Sequence, residues 1–212
     1  MTTRRAARAA AVAMIALVTV SGCGEVVTGK AQRSSAGQAG GPAACVKVDA
    51  PLEDLVSHNR SEPKLRVPQP DNWKPIGKMT RGSIRFVMAN PTLLGNMFAP
   101  NIVVTLEDAP ELDAQTIFNN TERNLRKQSA VSNFASTRGT LCGLPADTIT
   151  FGGERARARG RRSVTTKVIV AGVGTRQFVV TMTAQTADPS NQTYQKDVKT
   201  VMDGLQILAP AV

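Results

Sequence analysis

The strongest constraint on the fold is a run of four segments between Phe134 and Thr186, FASTRGTLCG, LPADTITFGGE, SVTTKVIVAG and RQFVVTMTAQT, in which apolar and small polar side chains alternate. A period of two sends successive side chains to opposite faces of a pleated strand. The last two segments flank GVGT, a hairpin turn signal. Upstream, GSIRFVMA places Ile84, Phe86 and Met88 on one face, and NIVVTLED follows as a further strand.

Two stripes at helical spacing accompany the strands. After Pro110 a helix is expected to start near Asp113, with Ala114, Ile117, Phe118, Thr121 and Leu125 on one side and Glu122, Arg123 and Arg126 toward water. After Pro189, Tyr194, Val198, Val201, Met202 and Leu205 form a second stripe. A brief helix is also expected in DAPLEDLVSHN, where Leu52, Leu55 and Val56 follow Pro51. RVPQPDNWKP, around the only Trp, reads as a bend. The whole is an α+β chain, a mainly antiparallel sheet with one helix inserted and one at the end.

The N-terminus has a different character. Arg4, Arg5 and Arg8 precede the apolar stretch Ala9 to Val20 and then small residues, the layout of a secretory signal. That stretch is too short to span a bilayer, which takes roughly 20 residues. Val20, Ser21, Gly22 and Cys23 look like a bacterial lipobox, in which the cysteine sulfur takes a glyceryl group from phospholipid and becomes the mature N-terminus. Acyl chains on Cys23 would then hold the protein at the outer face of the cell membrane, since two chains anchor stably where one is marginal. Residues 23–44, rich in Gly, Ala, Ser and Gln, read as a flexible lipidated tether, and 45–212 as one domain.

Loss of residues 1–22 takes the basic residues from 26 to 23 and leaves the 16 acids, so the net charge falls from +10 to +7. Such a surface suits anionic lipid head groups or envelope glycans, and export argues against nucleic acid as partner. Of three cysteines, acylation of Cys23 leaves Cys45 and Cys142, either a disulfide or two buried thiols. An oxidising compartment makes the disulfide the expectation, worth roughly 4 to 5 kcal/mol in the chain-entropy picture. It would pin the start of the domain to the middle of its sheet.

The tethered N-terminus, the short LEDLV segment, VPQPDNW, the paired strands, the central helix, CGLPADTITFGGE and the final helix together resemble the mycobacterial LpqN/LpqT lipoproteins. The resemblance covers about residues 46–208. It implies a PsbP/Mog1-like three-layer fold, with helices on both faces of the sheet, and carries no catalytic signature.

The chemical inventory is short. One histidine, His58, cannot build a multi-histidine metal site, and at the end of the expected short helix it would meet the helix dipole. No G-x-S-x-G elbow is present, and GVGTRQ lacks the third glycine of a dinucleotide loop. Glu107, Asp108, Glu111 and Asp113 crowd the start of the central helix, where carboxylates favour its N-terminal dipole. Asn119 and Asn191 open N-x-Thr sequons read as chance. The positive feature is GERARARGRRS, with Arg155, Arg157, Arg159, Arg161 and Arg162. Alternating arginines would share a strand face, with a hairpin tip adding the last two, either as a solvated edge that deters strand pairing or as a clamp for an anionic surface.

No cofactor is expected. Two functions fit: a non-catalytic envelope lipoprotein that binds or scaffolds an envelope lipid, glycolipid or protein partner, or an envelope hydrolase or lipid-modifying enzyme using carboxylates. The missing base and nucleophile favour the first. Replacing Cys23 by Ala is expected to leave the precursor uncut and unacylated and to remove it from the membrane fraction. An unchanged acyl mass shift in that variant contradicts the lipobox.

Overall fold

The computed structural model describes residues 45–109, 111–127, 131–154 and 160–210. The expected signal peptide and tether, Cys23 included, lie outside them. The elements run β1 (Leu52–Asp54), β2 (Lys64–Pro68), β3 (Lys74–Pro75), β4 (Ile84–Ala89), β5 (Asn101–Asp108), α1 (Ala114–Lys127), β6 (Val131–Leu141), β7 (Leu144–Glu154), β8 (Arg161–Val173), β9 (Arg176–Thr186), α2 (Gln192–Gly204) and β10 (Gln206–Leu208).

Seven strands form one antiparallel sheet in the order β3-β4-β5-β9-β8-β7-β6. Its alternation divides the core in two. Phe178, Val180, Met182 and Ala184 of β9 share a face with Ile102, Val104 and Leu106 of β5 and with Ile169 and Ala171 of β8. Onto this face α2 lays Tyr194, Val198, Val201 and Met202. The opposite face presents Ile149, Val168 and Val170 to Ile117 and Phe118 of α1. Helices therefore cover both sides of the sheet, the expected three-layer α+β arrangement. Each large apolar side chain buried in these layers contributes about 1.5 to 3 kcal/mol relative to exposure.

Local chemistry fixes the ends. The β8–β9 hairpin closes with Val173 opposite Arg176 and Gly174 left-handed at φ 60°, the place glycine takes in a two-residue turn. Asn191 caps α2, its side-chain oxygen accepting the Tyr194 N–H at 3.0 Å.

A second sheet, in the order β1-β2-β10, adds Leu65, Val67 and Ile207 to the α2 side. Here the expected short helix is corrected: Leu52, Glu53 and Asp54 pair with Pro68, Val67 and Arg66, and Leu55 N–H donates to Leu65 O. A helix of so few residues cannot repay its nucleation, whereas strand pairing satisfies the same backbone groups at once.

Cys45 and Cys142 form a disulfide across 97 residues. Cys142 sits in the two-residue turn joining β6 to β7, with φ 52° beside Gly143 at 75°. The bridge thus grips the end of the outermost hairpin rather than the middle of the sheet, because hairpin turns sit where strands stop. Its Cys142 sulfur lies 3.3 Å from Leu205 O, at the end of α2. Gly204, the last residue of α2, permits that closure: a Cβ there would come within 2.5 Å of Val48 and 2.7 Å of Pro68. Gly204→Ala is therefore expected to lower stability by about 1 to 3 kcal/mol in urea denaturation, overpacking outweighing alanine's helix propensity. A variant as stable as the parent contradicts this contact.

Candidate functional site

Several buried charged side chains hold elements together. Lys167 on β8, only 9% exposed, donates to Met202 O at 3.0 Å and Asp203 Oδ1 at 2.9 Å at the C-terminus of α2. Burial pushes the Asp203 carboxyl upward, but hydrogen bonds from Lys199 and Lys167 outweigh it and hold the group below the usual carboxylate value. Trp73, delivered by the Pro70–Trp73 turn with Asn72 left-handed, donates its ring N–H to Asp197 of α2 at 2.8 Å. Arg138 of β6 pairs with fully buried Asp147 and with Glu122, donates to Asn119 at 3.0 Å, and lies 4.9 Å over Phe118. Glu122, expected to face water, is half-buried and ties α1 to β6 through Arg138, while Arg126 is exposed as expected with its guanidinium 3.6 Å over Phe134. Glu62 accepts from Arg85 at 2.9 Å in a buried pair.

The acidic group near α1 is structural too. Asp113 caps the helix, accepting from Thr116 N–H at 2.9 Å and from its hydroxyl at 2.6 Å, which lowers its carboxyl below the usual value. Asp108 pairs with Arg176, while Glu107 and Glu111 are exposed. His58 does not end a helix: it is exposed in the loop before β2, its backbone N–H held by Glu62 at 2.9 Å. Both sequon asparagines have local work, Asn191 as the α2 cap and Asn119 as acceptor from Arg138. Among the described residues no three His, Cys, Asp or Glu gather as metal ligands, and no helix is long and apolar enough to cross a membrane.

Two grooves lie at opposite ends of the sheet. The first, of about 510 Å³, opens between the start of α1 and the β8–β9 turn. Leu112, Ala114, Pro145 and Val170 give it an apolar lining, and Arg176 and Glu111 are among its polar residues. The second, of about 390 Å³, includes Ser132, Phe151, Arg161, Arg162 and Ser163.

The arginine segment divides. Arg155, Arg157 and Arg159 lie outside the described residues. Arg161 and Arg162 open β8 instead of forming a hairpin tip, and adjacent strand residues cannot share a face. Arg161 is exposed and donates to Ser132 Oγ at 2.9 Å. Arg162 is 7% exposed, its guanidinium 4.1 Å over the Phe98 ring, so this residue does not stand on an open surface. Sequence reasoning missed this stack, and it missed Lys167, whose charge inside an apolar alternation was the available signal.

No curated protein sequence matches the chain. The crystal structure of LpqN, involved in cell envelope biogenesis of Mycobacterium tuberculosis, matches with a TM-score of 0.59 at 18% identity, over 74% of this chain and 91% of that one. Cyanobacterial PsbP from Synechocystis matches at 0.46 and 12%, over 76% and 94%. The Saccharomyces cerevisiae Ran-binding protein Mog1p matches at 0.43 and 9%, over 76% and 97%. The profile of the family described as Probable lipoprotein LpqN covers residues 49–208, from just before β1 to the end of β10, and the chain belongs to that family of lipoproteins.

Proposed function

We propose that the protein is exported, acylated on Cys23 and held at the outer face of the cell membrane. There it serves envelope biogenesis by binding an envelope amphiphile, a lipid or glycolipid, without transforming it. The observation that carries this reading is the groove between α1 and the β8–β9 turn. Its apolar lining by Leu112, Ala114, Pro145 and Val170, with Arg176 and Glu111 beside it, suits a molecule with one greasy and one polar part. Of the two carboxylates that line it, Asp113 is engaged as a helix cap, which leaves Glu111 single and supports binding over paired-carboxylate catalysis. The role of the M. tuberculosis LpqN in envelope biogenesis supports the same setting.

Native mass spectrometry of residues 24–212, purified in detergent and exchanged into volatile buffer, tests the reading. The parent protein is expected to carry an amphiphile adduct. Leu112→Asp, which puts a charge on a half-open groove wall, is expected to lose it while keeping the thermal midpoint. Equal adducts in both proteins, no adduct in the parent, or release of hydrolysed lipid overturns the proposal.

A further inference from the structure

Where β4 begins and β5 ends, at the end of the sheet that also carries the β6–β7 and β8–β9 turns, one buried arginine holds two loops side by side. Arg85 of β4 donates through one guanidinium nitrogen to Gly82 O at 2.5 Å and through the other to Glu62 Oε1 at 2.9 Å. Glu62 in turn shapes the loop before β2, accepting from the His58 N–H at 2.9 Å and from Asn59 Nδ2 at 3.1 Å. Arg176, at the β8–β9 turn, donates to the Ser61 hydroxyl and fastens the same loop on a second side.

The clamped loops are unevenly charged. Residues 55–64 and 76–83 carry the exposed cations Arg60, Lys64, Lys78 and Arg81 and one acid, Glu62, which is buried and neutralised by Arg85. Among the described residues none of the four cations has an ion-pair partner. The adjoining acids Asp54 and Asp108 are taken by Arg66 and Arg176, which leaves Glu53 and Glu107 as the exposed acids nearby. Arg60 and Lys64 border one polar hollow of about 320 Å³, together with Ser57 and His58. Val56 is 73% exposed, and Met79, between Lys78 and Arg81, is 50% exposed. Scattered exposed apolar residues are ordinary. Here each sits in a loop whose cations are unpaired.

We infer that these two loops dock the domain on an anionic phospholipid bilayer, Val56 and Met79 entering below the head groups while Arg60, Lys64, Lys78 and Arg81 meet their phosphates. Such a surface rewards both kinds of side chain, the cations by electrostatic attraction and the apolar ones by burial. A second copy does not fit as occupant, because a two-fold interface sets a patch against itself and would oppose four cations with four. The covalent anchor agrees with the pose. Cys45 is bonded to Cys142 in the β6–β7 turn, so the chain leading from Cys23 meets the domain at this same end of the sheet. That chain can extend at most about 75 Å, whereas the β6–β7 turn lies four to five strand spacings from β4, roughly 20 to 25 Å. This inference rests on the membrane setting proposed above but needs neither the acyl group nor the amphiphile groove.

The test uses residues 24–212, which contain every core residue of both layers and, with Cys45 and Cys142 bonded, accept one new thiol. Val56→Cys and, as a control on exposed β6, Thr137→Cys are labelled with the polarity-sensitive dye NBD. They are then mixed with vesicles of equal phosphatidylglycerol and phosphatidylcholine or of phosphatidylcholine alone. Position 56 is expected to brighten and shift blue with the anionic vesicles, less so in about 1 M salt, while position 137 stays unchanged. Arg60→Gln, Lys64→Gln, Lys78→Gln and Arg81→Gln combined are expected to lower the vesicle partition coefficient about tenfold or more and to keep the thermal midpoint, since exposed charges contribute little to stability. Val56→Ser with Met79→Ser is expected to lower it about tenfold. Unchanged emission at 56, equal responses at both positions, unchanged partition of the Gln variant, or an equal blue shift with dextran sulfate, which has charge but no apolar interior, overturns the inference. Because the acyl anchor is absent and none of these residues lines the amphiphile groove, failure here is separable from failure of the Cys23 and groove readings.

Discussion

The architecture depends on how α2 is held at its C-terminus by Lys167. The last carbonyls of a helix have no intrahelical donor and lie at the negative end of its dipole. Here a buried ammonium on the interior strand β8 supplies both the donor and the charge, to Met202 O and to Asp203. Asp203 keeps its charge because two lysines outweigh the burial that would neutralise it. The sign follows from linkage: a carboxyl depressed in the folded state contributes stability above its unfolded value, and that contribution fades as pH falls through the folded one.

Around this contact the remaining constraints converge. The disulfide reaches the same helix end, Gly204 lets Val48 and Pro68 close over it, and β10 turns directly into pairing with β2. Nearer the other end of α2, Trp73 and Asp197 add a second attachment. One side of the sheet is thus locked by α2 and the small sheet, while α1 covers the other through the Arg138 cluster. With the layers fixed, the features left to meet other molecules lie toward one end of the sheet, the groove beside the β8–β9 turn and the basic loops before β2 and β4.

The long strands were legible because alternation over many residues is a strong signal: NIVVTLED and RQFVVTMTAQT coincide with β5 and β9. The small sheet was not. Its strands of three to five residues are too short to show a period, and β2 pairs with β10, which comes from the far end of the domain sequence. Leu52 to Asp54 consequently read as a helix turn. The arginine segment shows a different limit. Composition announced its charge, but a ring from the distant β4–β5 loop covers Arg162, and no local pattern encodes that contact. The clamp of Arg85 on two loops was equally silent, because Glu62 lies 23 residues away from it in the chain.

The most direct measurement is a urea double-mutant cycle on Lys167→Met and Asp203→Asn. If a buried ammonium holds α2, Lys167→Met loses about 2 kcal/mol, since it orphans a helix-terminal carbonyl and leaves the Asp203 carboxylate with Lys199 as its one remaining lysine. The two substitutions then couple by more than about 0.5 kcal/mol. A Lys167→Met protein as stable as the parent, or strictly additive losses, would contradict the account.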